Sequence, residues 1–308
     1  MNTSPVLTPI SALMLLALAI VWGGSFFFAE VALSELPPMT VTLFRVALAV
    51  PVLLVVVWRM GLHLPRSLRL WGAYLVMGAL NNAIPFTLIF WGQTQIESGL
   101  ASILNGTTAV LGAVVAGLLL KDEPLTPRKL VGAGFGLAGV AAIMGLDLLS
   151  GLDLRNLAQL AIVGAALSYA FASVWGKVQL AGQPPQMNAL GMLIGSTVLM
   201  VPLALWVDGA PRLDLSLHVW AALIGVATLS TALAYLLYFA ILVRAGAANL
   251  MLVTLLIPPF AIALGAAFLD EVLTSSAYLG FTLIGLGLLI TDGRILAVFR
   301  ANSDRSKG

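Results

Sequence analysis

Runs of about twenty apolar residues, each bounded by charge or by Pro/Gly clusters, recur along the whole chain. A helix of about 20 residues spans about 30 Å, the thickness of a bilayer's hydrocarbon core. Ten such runs fall at about 10–29, 39–58, 70–91, 99–120, 129–146, 157–177, 186–206, 218–243, 247–268 and 276–293. No Lys or Arg precedes the first, and its apolar core outlasts a signal peptide's, so it reads as a membrane helix. Of 308 residues, 60% are hydrophobic and 9% charged, whereas a soluble domain carries roughly a quarter charged. Too little polar surface remains to meet water, which excludes a soluble enzyme. The expected class is an all-α integral membrane protein with ten transmembrane helices in a lipid bilayer.

Charge then sets orientation. Assigning loops to alternate sides groups Arg59, Arg66, Arg69, Lys121, Arg128, Lys129, Lys177, Arg244, Arg294, Arg300, Arg305 and Lys307 with both termini, and leaves Arg155 and Arg212 opposite. Under the positive-inside rule both ends are cytoplasmic, in a multi-pass cell (inner) membrane protein. A net charge of +2 gives no pull on nucleic acid. The absence of cysteine excludes a disulfide framework and thiolate catalysis. Oligomeric state is left open.

The chain also repeats itself. Pro37-Pro38 recurs as Pro184-Pro185, Gly99 as Gly246 and Trp22 as Tyr169, each at a spacing of 147. One residue of slip later, Asp122-Glu123-x-Leu125-Thr126 matches Asp270-Glu271-x-Leu273-Thr274, and Gly132 matches Gly280. Agreement at several sites in one register indicates a duplication, with units at 1–147 and 148–308. Five helices per unit is an odd number, so the second copy enters from the opposite face. Two inverted five-helix repeats are a common construction of secondary transporters, which expose a midplane site to either side in turn.

The segment Ile20-Val21-Trp22-Gly23-Gly24-Ser25, the Asp-Glu-x-Leu-Thr turn in each copy and the duplicated ten-span plan resemble the EamA-type branch of the drug/metabolite transporter superfamily. The resemblance covers nearly the whole chain. It implies export of amino acids or other small metabolites without a cofactor, and it extends to exporters of aromatic and other neutral amino acids.

A polar side chain at bilayer depth is costly unless it finds a partner or a wet cavity. Asn81 and Asn82 sit near the middle of the third span, with Thr228 one repeat from Asn81 and Ser230 and Thr231 nearby. Asn105 and Thr108 lie in the fourth span, and Ser25 lies in the first. With Trp22, Trp91, Tyr169, Tyr235 and Tyr238 as walls, these residues are the candidate substrate-binding set. The plain alternative is that the hydroxyls bond their own helices and the Asn amides tie helices together. Pro85, Pro258 and Pro259 remove helix hydrogen bonds and are candidate hinges, or simply packing kinks. Arg45 lies two turns inside the second span. It reads either as a carboxylate ligand or, preferred here, as a structural group that snorkels outward or pairs with Glu30 or Glu35.

Other signals are discounted. Gly134-Phe-Gly136-Leu-Ala-Gly139 matches a dinucleotide fingerprint but lies in an apolar span with no strand before it, so its expected role is close helix packing. Asn105-Gly106-Thr107 is a glycosylation sequon buried in a span. His63 and His218 have no neighbours at metal-ligand spacing, so no metal is expected. No Asp or Glu lies at the centre of a span, which favours facilitated export by alternating access without obligatory proton exchange. The rivals are a nucleotide-sugar or drug carrier, an intramembrane enzyme and a non-transport membrane scaffold subunit.

Overall fold

The computed structural model describes residues 8–121, 124–144, 154–250 and 253–292. The Asp122-Glu123 turn, Arg294, Arg300, Arg305, Lys307 and both termini lie outside the described residues. All regular structure among those described is helical: α1 (Pro9–Leu33), α2 (Pro38–Arg59), α3 (Leu68–Gly78), a first π-turn (Ala79–Ala83), α4 (Ile84–Gln93), α5 (Ser98–Asn105), α6 (Thr108–Leu119), α7 (Pro127–Met144), α8 (Leu154–Gln179), α9 (Pro185–Val207), α10 (Leu217–Ala227), a second π-turn (Thr228–Leu233), α11 (Ala234–Leu250), α12 (Val253–Phe268) and α13 (Ser275–Asp292).

The recurring Pro-Pro pairs do the same work in both copies. Pro37 and Pro184 end the preceding connection, and Pro38 and Pro185 occupy the first helical position, where a missing N–H costs nothing. Thr8 caps α1 by accepting from Ser11 N at 3.2 Å, and Ser67 caps α3. Seven stretches are long and apolar enough to cross a membrane: Pro9–Leu33, Pro38–Arg59, Leu68–Gln93, Ser98–Leu119, Leu154–Gln179, Pro185–Val207 and Leu217–Ile241. α7, α12 and α13 lie where the remaining three expected spans fall.

Two pairs of equivalent helices, α2 with α9 and α7 with α13, pack against each other and run antiparallel. Asp208, just past the end of α9, accepts from Thr40 N at 2.7 Å and Thr40 Oγ1 at 2.8 Å at the start of α2. A carboxylate there serves a helix N-terminus, where free N–H groups favour negative charge. In α7 and α13, Gly132 lies beside Gly287 and Thr291, while Gly139 lies beside Gly280 and Ile284. A Cβ on Gly139 would sit 2.8 Å from Gly280 O, so only glycine allows the two backbones this close. Gly134 faces open space, so the fingerprint is split between packing and surface positions. The remaining pairings also exchange under the repeat: α3 packs on α9 as α10 packs on α2, and α4 packs on α8 as α11 packs on α1.

Candidate functional site

Sequence reading placed Asn81 and Asn82 in a continuous helix, but the chain there widens into a π-turn. Ile84 N bonds Ala79 O, five residues back, and Pro85 lies in the first turn of α4. Proline has no N–H to return to the ladder, which frees a carbonyl and favours such a bulge. The second π-turn occupies the corresponding place in the other repeat, with no proline in it. The first π-turn packs on α8 and α9, and the second on α1 and α2, so each bulge is held by the opposite repeat.

Side chains seal this arrangement. Ser168 Oγ on α8 donates to Leu80 O at 2.7 Å. Ser230 Oγ in the second π-turn donates to Val21 O on α1, also at 2.7 Å. Asn81 Nδ2 donates to Tyr235 Oη at 3.1 Å, Tyr235 Oη donates to Asn82 Oδ1 at 3.0 Å, and Asn82 Nδ2 donates to Ser196 Oγ at 2.8 Å. Ser196 in turn reaches Met192 O at 2.6 Å. This one-directional chain crosses between repeats, and Asn82 within it has 0% exposure. Removing one member strands the next, at about 1–3 kcal/mol for each buried group left unsatisfied.

Arg45 departs from the preferred expectation. It neither snorkels nor pairs with Glu30 or Glu35; it turns inward and is buried. Its Nε donates to Thr231 Oγ1 at 3.1 Å and its Nη1 to Ser25 Oγ at 2.8 Å. The guanidinium lies 3.7 Å from the Phe86 ring centroid and 5.8 Å from that of Phe90. Among the described residues no carboxylate comes within ion-pair distance of it. Burying a cation costs several kcal/mol, while a desolvated cation–π contact returns about 2 kcal/mol and each hydrogen bond to a charged group about 1.5–3 kcal/mol. Neutral neighbours therefore tolerate the charge without neutralising it. Snorkelling assumed that only the bilayer edge offers a polar environment, and Ser25 of α1 with Thr231 of the opposite repeat supply one instead.

The other expected residues divide. Trp22 and Tyr238 meet, with ring centroids 6.0 Å apart. Tyr169 is half-buried in the same core, as is Trp91, for which no polar partner is seen. Thr228 is outside the cluster: its hydroxyl donates to Ile224 O at 2.6 Å on its own helix. Thr108 does likewise with Asn105 O at 2.7 Å. Both follow the plain alternative. Asn105 ends α5 at the break before α6, and its enclosed Oδ1 has no partner. Pro258 is buried and Pro259 exposed within α12, and a Cβ on Gly23 of α1 would touch Ile257 O just before them.

Ser196, Gln93 and Glu271 had no place in the expected set. Gln93 Nε2 donates to Phe26 O at 2.9 Å and Glu30 Oε2 at 3.1 Å. Glu271 accepts from Ser98 N at 2.7 Å, Ser98 Oγ at 2.9 Å and Gly99 N at 3.1 Å, so the second repeat caps α5 of the first. With Glu97, these residues line a cavity of about 330 Å³ at the end of the bundle where α1 and α4 finish. Phe86, Phe90 and Gln93 share one face of α4 at helical spacing, leading from Arg45 to that cavity. A signal existed for Glu271, since its motif recurs; none marked Gln93 or Ser196 in a single sequence.

A family model described as the EamA-like transporter family matches residues 9–145 and again 156–291. The chain belongs to the EamA-like transporter family. Each match covers one set of helices, so the polar network above lies between the two EamA-like units. The chain is 29% identical over 283 residues to the uncharacterized transporter YvbV of Bacillus subtilis, covering 92% of this chain and 91% of that one. It is 26% identical over 285 residues to a probable amino-acid metabolite efflux pump of Escherichia coli, covering 89% and 92%. A solved protein crystal structure shares the fold with a TM-score of 0.65 at 16% identity, covering 92% of this chain and 97% of the other.

Proposed function

We propose that this EamA-like chain is a cell-membrane secondary transporter that exports a small metabolite, most plausibly a neutral or aromatic amino acid, by alternating access. In this reading ten helices cross the bilayer as two inverted repeats, at 1–147 and 148–308, with both termini cytoplasmic. The observation that carries the proposal is the polar seam, where two π-turns interrupt equivalent helices at mid-bundle and meet the opposite repeat. Helix bulges loosen the backbone ladder locally, and polar groups at such depth are costly unless a function retains them. Rocking one repeat against the other about this seam would open it to each face in turn.

The relatives support the transport class, and one is named as an amino-acid metabolite efflux pump. Trp22, Tyr235, Tyr238 and Tyr169 suit an apolar or aromatic side group beside the Asn81/Asn82 amides. No carboxylate lies among the seam residues described above, so transport runs down the substrate's own gradient without obligatory proton exchange. The test is flux of labelled amino acids through the purified protein in liposomes, with the internal pH followed at the same time. Saturable flux without stoichiometric acidification is expected. Absence of flux for every amino acid would overturn the substrate class, and tight proton movement would overturn uncoupled transport. Orientation has its own test, since the native chain has no cysteine. A cysteine at Ser67 is expected to label only from the cytoplasm and one at Ser275 only from outside.

A further inference from the structure

We propose that Arg45 and Tyr169 form a seat for a single carboxylate of the transported molecule, so that the substrate is a monocarboxylate with an apolar or aromatic side group. This rests on the transporter reading above and narrows it.

Arg45 is 6% exposed, yet its guanidinium has work left to do. Of five N–H donors in a fixed fork, Nε and one N–H of Nη1 are taken by Thr231 and Ser25. Nη2 donates to no described residue. Among the described residues the polar side-chain atoms that are both fully enclosed and unpaired are Gln93 Oε1, Asn105 Oδ1 and Gln159 Oε1, and Nη2 is not one of them. It therefore keeps some surface open to an atom the size of a water oxygen. Tyr169 Oη has the same standing: it makes no hydrogen bond to a described residue and is not enclosed. Tyr169 follows Ser168, whose hydroxyl bonds Leu80 O in the first π-turn, so it stands on α8 beside the seam.

Two unspent donors, one of them cationic, thus belong to residues at the seam, where no carboxylate of the described residues pairs with the charge. Guanidinium and phenol both donate, and the group that accepts from both while supplying the missing charge is a carboxylate. A structural tie between repeats would need only the bonds to Ser25 and Thr231, which an uncharged amide can make at lower desolvation cost. Phe86 stacks on the guanidinium at 3.7 Å and blocks one face, leaving the edge that carries Nη2 for approach. Phe90 and Gln93 continue the same face of α4 towards the 330 Å³ cavity at the bundle end, whose lining includes Glu30, Glu97 and Glu271. One guanidinium against one phenol suits a single negative charge; a phosphate ester would bring more charge than the seam's lone cation balances.

The test uses the full chain in liposomes, with labelled phenylalanine and the competitors 3-phenylpropionate, phenylalaninamide and phenethylamine. Phenylalanine is expected to cross and 3-phenylpropionate to compete, while the two compounds without a carboxylate compete at least about tenfold more weakly. Arg45→Gln is expected to weaken the acid by at least about 30-fold, as when one partner of a buried charge pair is truncated. Arg45→Lys retains part of the preference. Tyr169→Phe keeps the cation and lowers the preference a few-fold, which covers the case in which Arg45→Gln fails to fold. Equal competition by acid and amide, or an unchanged acid preference in a folded Arg45→Gln, overturns the seat and leaves transport standing.

If the wild type carries no compound of the panel, the amino-acid reading falls, and the seat is decided by binding. Thermal unfolding of the detergent-purified protein is then followed with 3-phenylpropionate and with phenethylamine. Stabilisation by the acid alone, lost in Tyr169→Phe, upholds the seat; no stabilisation by the acid overturns it.

Discussion

Among the contacts between the two repeats, the α7/α13 contact and the π-turn seam differ in what they add to glycine packing. Along α7 and α13, glycines let backbones touch, and each facing glycine has a main-chain atom of the other helix among its close approaches: Gly287 lies where a Cβ would be 2.6 Å from Gly132 O. At the seam, the contacts are long side chains, hydroxyls and amides reaching across a widened backbone. Lipid tails are as apolar as Leu, so burying apolar surface gives membrane helices little drive to associate; close van der Waals packing does. The glycine contact uses that drive and has one arrangement. The seam adds side-chain hydrogen bonds to such packing, since Gly78, just before the first π-turn, also lies where a Cβ would be 2.6 Å from Met192 O and from Ser196 N.

That contrast can be broken experimentally, and the largest effect belongs to the glycines. Gly287→Leu should cost about 3 kcal/mol or more, because the atoms it meets are backbone and cannot rotate away; loss of the monodisperse peak on size exclusion would report it. A normal peak and unchanged melting temperature would mean that the α7/α13 approach is not a fixed joint. Asn82→Leu should behave differently. It takes away the acceptor of Tyr235 Oη and the donor to Ser196 Oγ, which keep Asn81 and Met192 O as partners, and costs about 1–3 kcal/mol, yet the bundle stays folded while amino-acid flux falls about tenfold, the effect of one lost hydrogen bond in the crossing. Normal flux at normal expression would remove Asn82 from the site.

Glu271→Gln lies between the two regions. The charge at the N-terminus of α5 is lost while the shape stays, for a fall in stability of about 1 kcal/mol, seen as a lower melting temperature. Outside the spans, Glu35 gives a pH arm. Hydrogen bonds from the Ser216 hydroxyl and backbone N–H hold its carboxyl below the usual carboxylate range. The folded value lies below the unfolded one, so this contribution is complete above the ordinary carboxylate pKa and disappears as pH falls through the depressed one. Ser216→Ala should remove part of that acid-limb dependence without touching flux at neutral pH. Thr228→Val should do least, under about 0.5 kcal/mol and no change in flux, since its hydroxyl serves only its own helix; a loss of transport would move the seam outward.

How much of this was legible beforehand differs by residue. The Pro-Pro pairs and the recurring Asp-Glu turn identified the duplication, because both are local devices that act alike wherever the chain repeats them. Asn81 and Asn82 stood out because an amide at depth demands a partner, although the partner, Ser196, is an ordinary serine 114 residues away from Asn82. Thr228 shows what the repeat register leaves open: three residues further on in the same bulge, Thr231 accepts from Arg45, while the Thr228 hydroxyl bonds its own helix. Arg45 was assigned outward because sequence distance to the membrane edge is readable, whereas the two hydroxyls that hold it come from α1 and from the opposite repeat.

Hydropathy and repetition alone dictate a helical, duplicated membrane chain, since they follow from backbone hydrogen bonding in lipid and from spacing along one strand of text. Which polar atoms meet, where a helix swells into a π-turn and which way a buried cation points were settled only by tertiary packing. Those outcomes depend on helix rotation about an axis and on contacts between residues more than a hundred positions apart, and neither quantity is written in local order.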